Sequence, residues 1–154
     1  MPDRELEKWD KIAHEYNKFI SGGDILRREL LNEALLKLVG DIKGKELLDA
    51  GCGEGYLSKI LNDLDANVLG IDGSAELIEI AKEKYKENEH LNFKTLNLKD
   101  PLPINDNVFD LIVCNMVLMD FDPIDKTLNE FARTLKPERS LIFSILHPAF
   151  SLGK

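Results

Sequence analysis

The sequence predicts an α/β fold: a doubly wound parallel sheet of about five strands, led by two N-terminal helices. From Lys45 onward, short apolar segments alternate with segments of helical periodicity. The short segments are apolar almost throughout, as expected for parallel strands covered on both faces. The length of 154 residues is that of one domain with a real core. The predicted strands are residues 46–49, 67–72, 91–96, 108–114 and 141–146.

Helical periodicity and capping signals place the helices before and between these strands. Apolar residues at helical spacing predict a first helix over residues 5–20 and a second one that ends at Gly40. Further helices follow the first and second strands, and Ser74 is expected to cap the latter helix. Asp122 as N-cap and Pro123 in the first turn predict the helix before the last strand.

Composition and charge exclude several classes of function. The net charge is −8, and no stripe of Lys and Arg is visible, so a nucleic-acid partner is not expected. No segment approaches the roughly 18 apolar residues of a membrane helix. The charged start of the chain, residues 1–5, lacks the apolar region of a signal peptide, which predicts a cytoplasmic protein. Cys52 and Cys114 lie far apart without metal-ligand spacing, so no metal site is predicted.

A glycine-rich turn after the first strand is the clearest functional signal. Gly51, Gly53 and Gly55 form a G-x-G-x-G pattern directly after Asp49. Glycines allow close approach of a nucleotide to the backbone, although a tight turn without any ligand explains the pattern too. A dinucleotide site prefers G-x-G-x-x-G, which would need a glycine where Tyr56 stands. A carboxylate at Asp49 repels a pyrophosphate and attracts a cationic cofactor, so a nicotinamide dehydrogenase is disfavoured.

A second carboxylate follows at the expected distance. Asp72 ends the second strand, seventeen positions after Gly55. In doubly wound sheets an acid at this place accepts hydrogen bonds from ribose hydroxyls, because neighbouring strands end at the same crevice. The alternative is an exposed aspartate of a turn.

Four segments resemble the motifs of class I S-adenosylmethionine-dependent methyltransferases, whose core is Rossmann-like. Residues 47–55 are similar to the first motif and 70–74 to the second. Residues 109–115 resemble the fourth-strand motif, and 131–137 resemble the segment before strand five, with Glu138 and Arg139 where glycines are usual. The resemblance covers residues 9–148 and is closest to the small-molecule branch that includes quinone-biosynthesis methyltransferases.

The resemblance implies which residues hold S-adenosylmethionine. Gly51 and Gly53 would pass beneath the cofactor, while Asp49 would face its methionine end. Asp72 would hold the ribose, and Asn97 with Leu98 would meet the adenine. Asn115 and Met116 would border the methionine portion and the methyl group. Tyr16 is either a lid over the site or a core residue. The implied cofactor-binding residues are Asp49, Gly51, Cys52, Gly53, Asp72, Gly73, Asn97, Leu98, Asn115, Met116 and Tyr16.

The resemblance also divides the chain and suggests the reaction. Residues 1–40 are interpreted as a helical lid, and residues 41–154 as the cofactor-binding Rossmann-like core. The expected reaction is methyl transfer to a small-molecule acceptor, which depends mainly on positioning and on the exclusion of water.

The sequence does not single out a catalytic residue. His147, after the last strand, is the best candidate for a general base, with a structural histidine as the alternative. His14 and His90 are interpreted as surface residues. Asp120 and Asp122 follow the fourth strand, and Asp122 is already explained as a helix cap.

The family pattern stops at the fifth strand. Complete members usually continue with a helix and an antiparallel hairpin that pairs beside strand five, and this hairpin is absent from the chain. The strand would then be an apolar edge. Three explanations are open: a piece of a longer protein, which we favour, a homodimer joined at that edge, or a shortened natural protein. A noncatalytic cofactor-binding or partner-stabilising module is the alternative function.

Overall fold

The structure, a computed structural model, describes residues 4–22 and 25–147. Its five strands are β1 (Glu46–Ala50), β2 (Asn67–Asp72), β3 (Leu91–Thr95), β4 (Phe109–Asn115) and β5 (Leu135–Ser144). Within the described residues the α-helices are α1 (Arg4–Gly22), α2 (Ile25–Val39), α3 (Tyr56–Asp63), α4 (Ala75–Lys84) and α5 (Asp125–Thr134), and a 3-10 helix spans Leu118–Asp120.

The strands form one sheet in the order β3-β2-β1-β4-β5, and all four pairings are parallel. The predicted doubly wound α/β fold is therefore confirmed. The chain first builds outward from β1 to β3 and then crosses over to β4. This reversal puts a crevice at the carboxyl ends of β1 and β4, which is where such folds bind ligands.

Apolar side chains on both faces of the sheet form two cores. The first core lies under α2, α3 and α4, and the second lies under α5 and the loop before β4. The first includes Leu35, Val39, Leu57, Leu61, Ile78 and Ala81, together with Leu47, Val68 and Val113 of the strands. The second includes Leu48, Ile71, Ile112, Phe131 and Leu102. Covering both faces explains why these strands are apolar at consecutive positions.

The helix before β5 begins later than the sequence predicts. Asp122 was expected to be its N-cap, but Ile124 occupies that position and α5 begins at Asp125. The Ile124 carbonyl accepts the hydrogen bond from the Leu128 N–H at 3.0 Å. Asp122 is exposed and precedes the first helical hydrogen bond, so it does not cap the helix.

Strand β5 begins six residues before its predicted start at 141. Leu135 already pairs with Phe109, and the pairing resumes with Ser140 opposite Leu111, so the intervening residues bulge out of the strand. Glu138 lies in this bulge with a φ of +60°, a conformation that glycine adopts most easily. This positive φ explains why glycine is usual in this segment of the family, since glycine adopts the conformation without strain.

Among the described residues, no helix has both the length and the apolar character that crossing a membrane requires.

Candidate cofactor site

The glycine turn is anchored to the neighbouring strand. The N–H groups of Gly51 and Cys52 both donate to the Ile71 carbonyl, at 2.8 and 2.9 Å. Gly51, Gly53 and Gly55 have φ values of +76°, +54° and +83°, so each adopts the left-handed backbone that side chains disfavour. The turn therefore needs glycine for its own conformation, before any ligand is considered.

The surroundings of the three glycines differ. A Cβ added to Gly51 would lie 2.4 Å from Val117 Cγ2, and one added to Gly55 would lie 2.7 Å from Phe93 Cζ. A Cβ added to Gly53 would meet no atom within 4 Å. Gly51 and Gly55 are thus packed against the protein, and Gly53 is the glycine whose backbone faces open space. No local sequence pattern indicates the contact of Val117 with Gly51 or distinguishes Gly51 from Gly53.

Three polar side chains come together at the ends of adjacent strands. Asp49 pairs in register with Gly70 on one side and with Val113 on the other. Asp72 and Asn115 each lie two residues further along their strands, and side chains two apart share a face. Asp49, Asp72 and Asn115 therefore lie on the same face of the sheet, beside the glycine turn. The structure thus brings together residues that are widely separated in sequence.

Asp72 connects the second strand to the turn. Its Oδ2 accepts the Gly53 N–H and its Oδ1 accepts the Ser74 N–H, both at 2.9 Å. Burial raises the pKa of Asp72, and these backbone donors oppose the increase. Asp72 is therefore more than the exposed turn residue that the sequence left open, because it orients the backbone at the open glycine.

Asp49 is buried directly beneath the turn. Its side chain is only 1% exposed, and its Oδ2 accepts a 2.6 Å hydrogen bond from Ser58 Oγ of α3. Burial raises the pKa of Asp49 to about 7, the Ser58 hydrogen bond lowers it, and the charges of Asp72 and Glu54 raise it. Ser58 was missed in the sequence analysis, although its place among the apolar residues of α3 was a signal for a buried hydrogen bond.

Glu54 is a second buried acid that the sequence analysis did not select. It lies within the turn, is 3% exposed, and its Oε2 accepts from Lys84 Nζ of α4 at 3.3 Å. Lys84 Nζ also donates to Asn17 Oδ1 of α1 at 3.0 Å. Three acidic side chains thus surround the turn, and Lys84 is the cation paired with Glu54. Such surroundings suit a ligand that carries positive charge.

The adenine-side candidates follow β3. Asn97 Oδ1 accepts the Lys99 N–H at 3.0 Å, so its side-chain oxygen is engaged within its own loop. Leu98 is buried, and its carbonyl accepts from Thr127 Oγ1 at 2.9 Å. The Leu96 N–H donates to the Asp72 carbonyl at 2.9 Å, which ties this loop to the end of β2.

Helix α1 contacts the two residues that follow β2, Gly73 and Ser74. Leu6 occupies the space beside Gly73, where an added Cβ would lie 2.4 Å from Leu6 Cδ2. Asp10 Oδ1 accepts from Ser74 Oγ at 2.5 Å. Gly73 is thus used for helix packing, and Ser74 both caps α4, as predicted, and binds α1.

The remaining candidates occupy ordinary packing positions. Tyr16 is half-buried, and its ring packs edge-on against Trp9 with centroids 5.3 Å apart. Its lid role stays a prediction. Cys52 and Cys114 are free, buried thiols whose pKa burial raises.

The histidines lie at the surface. His14 is exposed, with its Nε2 3.9 Å from Glu76 Oε2, and His90 is exposed before β3. Both were predicted as surface residues, and this is confirmed. His147 is exposed after β5, and Asp120 is exposed at the end of the 3-10 helix. Nothing in these positions marks a general base.

An open groove of about 670 Å³ lies at the amino ends of the strands, opposite the edge that carries the glycine turn. Residues of the glycine turn do not contribute to it. Its lining includes Glu46, Asn67, His90, Asn92, Pro103 and Ile104. Because ligands of doubly wound sheets bind at the carboxyl ends of the strands, we assign the site to the glycine turn rather than to this groove.

The sheet order and the glycine turn at its switch point define a class of nucleotide-cofactor-binding α/β proteins. Residues 48–143 match the family model described as a methyltransferase domain. The chain belongs to the class I S-adenosylmethionine-dependent methyltransferases, a family whose cofactor is S-adenosylmethionine.

Two curated relatives and one solved structure illustrate the similarity. The chain is 34% identical over 138 residues to a malonyl-[acyl-carrier protein] O-methyltransferase of Hamiltonella defensa, covering 90% of this chain and 50% of that protein. It is 29% identical over 150 residues to a ubiquinone biosynthesis O-methyltransferase of Coxiella burnetii, covering 95% and 63%. The fold is similar to that of a putative S-adenosylmethionine-dependent methyltransferase of Methanococcus maripaludis, with a TM-score of 0.77, 22% identity and coverage of 88% and 63%. The chain thus spans about half to two thirds of the length of these proteins.

Proposed function

We propose that the protein binds S-adenosylmethionine at the glycine turn and transfers its methyl group to an oxygen of a small-molecule acceptor. The observation that carries the proposal is the open backbone face of Gly53, which Asp72 orients between β1 and β2. The names of the two curated relatives support oxygen as the acceptor atom and favour an enzyme over a noncatalytic module.

The residues of the site have distinct tasks in this proposal. Gly53 lets the cofactor approach the backbone, and Asp72 accepts hydrogen bonds from the ribose hydroxyls. Asn97 and Leu98 border the adenine. The cofactor, when bound, supplies a methyl group that is already activated on a sulfonium. The chain therefore contributes by orienting the partners and excluding water, and no residue is assigned as a general base.

The charge of the site supports the same cofactor. The acids Asp49, Glu54 and Asp72 lie around the turn, and a cation beside Asp49 would oppose the rise to about 7 that burial causes in its pKa. A cofactor with a sulfonium and an ammonium group gains from these charges, whereas a pyrophosphate would be repelled. Asp49 is the acid assigned to the methionine end, together with Asn115 and Met116.

A glycine pair of matched conformation tests the cofactor site. Gly44 has a φ of +68°, close to the +54° of Gly53, and an added Cβ would meet no atom within 4 Å at either residue. Gly53→Ala and Gly44→Ala should each cost about 1 kcal/mol of stability, because alanine is strained in this backbone conformation. Gly53→Ala should also weaken S-adenosylhomocysteine binding at least about tenfold in calorimetry, since its methyl group occupies the ligand's space.

Gly44→Ala serves as the control and should bind S-adenosylhomocysteine like the wild type. Equal affinities of both variants would show that the ligand does not approach Gly53, and would remove the turn from the proposed site.

We also propose that residues 1–40 act as a helical lid over the core of residues 41–154. The support is the contact of α1 with the cofactor-side end of β2, through Leu6 beside Gly73 and Asp10 on Ser74. S-adenosylhomocysteine should slow hydrogen exchange in α1, and Asp10→Ala should accelerate it. Glu33→Ala, on the exposed side of α2, is the control. Exchange in α1 that does not respond to the ligand would contradict the lid.

Cellular location and self-association are two further parts of the proposal. A cytoplasmic location fits the charged surface and the chemistry of the cofactor. A homodimer through β5 is supported by exposed apolar residues at the end of that strand and directly after it, Phe143, Ile145 and Leu146. No nucleic-acid or membrane partner is proposed.

A further inference from the structure

A small polar network joins the ends of β4 and β5 beside the glycine turn. Asn115 and Ser144 are partners in the parallel pairing. Ser144 Oγ donates to Asn115 Oδ1 at 2.5 Å, and the Met116 N–H donates to both Ser144 Oγ and the Ser144 carbonyl at 3.0 Å. Met116 has a φ of +61°, so these bonds hold a backbone conformation that methionine rarely adopts.

The network determines which way the Asn115 amide points. Ser144 has one hydroxyl hydrogen, and its oxygen already accepts from Met116. The hydrogen is given to Asn115 Oδ1, so the amide oxygen is engaged and the NH₂ group carries the unused donors. If the amide were reversed, the Ser144 hydrogen would lose this acceptor. Asn115 is half-buried and is the last residue of β4, at the carboxyl ends of the strands where the crevice lies, so these donors face the region in which a ligand would bind.

The N–H donors of the Asn115 amide complement the acids Asp49 and Asp72 on the neighbouring strands. Asn115 lies on the same face of the sheet as Asp49, and the two residues are on adjacent strands. The acids favour a cationic group, while amide N–H donors favour an oxygen with negative charge. A ligand whose end carries both an ammonium and a carboxylate fits both parts of the crevice.

We propose that the Asn115 amide binds the carboxylate at the methionine end of the cofactor, and that Ser144 is the positioning residue that fixes this amide. The inference rests on the proposed function, because it concerns the same cofactor. It adds Ser144, which neither the family motifs nor the comparisons single out, and it gives Asn115 a defined partner.

Two ligands that differ only in the carboxylate test the assignment. S-adenosylhomocysteine carries it, and 5′-deoxy-5′-(3-aminopropylthio)adenosine lacks it while keeping the amine. Binding of both is measured by calorimetry to the wild type and to Asn115→Asp, Ser144→Ala and Ser140→Ala. Ser140 is the matched control, because it is an exposed serine of the same strand, opposite Leu111 and away from the turn.

The wild type should prefer S-adenosylhomocysteine by about tenfold or more, since a hydrogen bond to a charged group is lost with the carboxylate. Asn115→Asp should remove the preference, because its own carboxylate repels that of the ligand. Ser144→Ala should reduce the preference at least about threefold, with the affinity for the amine ligand unchanged, because the freed amide turns. Ser140→Ala should keep the full preference.

A full preference in Ser144→Ala, or an equal weakening of both ligands, would overturn the role of Ser144. Equal affinity of the wild type for both ligands would overturn the inference alone and leave the cofactor site standing. Failure of the wild type to bind either ligand would overturn the proposed function and the inference with it.

Discussion

Asp49 and Asp72 show how the same side chain acquires different properties at neighbouring strand ends. Asp72 accepts two backbone N–H groups, which stabilise its charged form. Asp49 has the Ser58 hydroxyl as its hydrogen-bond partner and is almost fully buried. Burial therefore dominates at Asp49 and raises its pKa to about 7.

The raised pKa of Asp49 predicts a pH-dependent stability. The folded protein binds the Asp49 proton up to about pH 7, whereas the unfolded chain releases it near pH 4. This residue therefore lowers the free energy of unfolding as the pH rises from about 4 to 7. Asn keeps the hydrogen bond to Ser58 without a charge, so Asp49→Asn should gain about 2–4 kcal/mol relative to the wild type between pH 4 and pH 8.

Urea denaturation of both proteins across this pH range measures the effect. Asp63→Asn, at an exposed residue of α3, is the control and should parallel the wild type. A stability difference between Asp49→Asn and the wild type that stays constant with pH would contradict the raised pKa.

The glycines illustrate what residue identity alone leaves undecided. The spacing of Gly51, Gly53 and Gly55 predicts a nucleotide-binding turn, but it does not reveal what stands beside each of them. Val117 lies so close to Gly51 that Gly51→Val would disturb the fold itself, and loss of binding in that variant would not test the ligand. A substitution at Gly53 tests ligand binding, because a Cβ added there meets no protein atom within 4 Å.

At the level of elements, the connection from α5 to β5 departs most from expectation. The sequence predicts a strand only from residue 141, because Pro137 lies in the segment before it and proline disfavours regular structure. In the structure β5 follows α5 directly, and the extra residues form a bulge between the residues that pair with Phe109 and Leu111. The pairing partner in β4 decides where the strand begins, and this is a long-range contact.

Glu138 in this bulge gives a prediction for stability. Its φ of +60° costs a side-chain-bearing residue about 1–2 kcal/mol, while glycine loses somewhat more backbone entropy on folding. Glu138→Gly should therefore stabilise the protein by about 0.5–1 kcal/mol in thermal or urea unfolding. Glu87 is the control, because it is an exposed turn residue whose φ is not positive. Glu87→Gly should be neutral or destabilising. A similar gain in both variants would argue against strain at Glu138.

At the scale of the whole molecule, β5 is the exposed edge of the described sheet. It pairs with β4, and Phe143, Ile145 and Leu146 near its end are 51%, 49% and 42% exposed. An open, apolar edge strand favours association with another strand, because its backbone groups and side chains gain partners there.

The proposed homodimer follows from this edge. The isolated chain should sediment as a dimer at micromolar concentrations, and Phe143→Lys should shift it toward the monomer, since a charge at the edge opposes pairing. Leu64→Lys, at a 45% exposed leucine after α3, should leave the dimer intact. A wild type that remains monomeric at about 100 μM, or a dimer that Leu64→Lys disrupts equally, would contradict association through β5.

The sequence by itself determined the order of strands and helices, the doubly wound class and the family. Those features depend on local signals: apolar segments, glycine spacing, the Ser74 cap and the acid at the end of β2. They are visible because neighbouring residues create them. The placement of Asp49 beneath the turn follows from the same signals, and its partner Ser58 lies only nine residues away.

Only the tertiary structure decided which of these residues meet. Val117 against Gly51, Ser144 on Asn115, Lys84 on Glu54 and Leu6 beside Gly73 are contacts between elements distant in sequence. Their geometry depends on sheet register and helix packing, which no local pattern encodes. Tertiary packing decides whether a glycine contacts the protein or faces a ligand. It also decides whether an amide offers its N–H donors to a ligand.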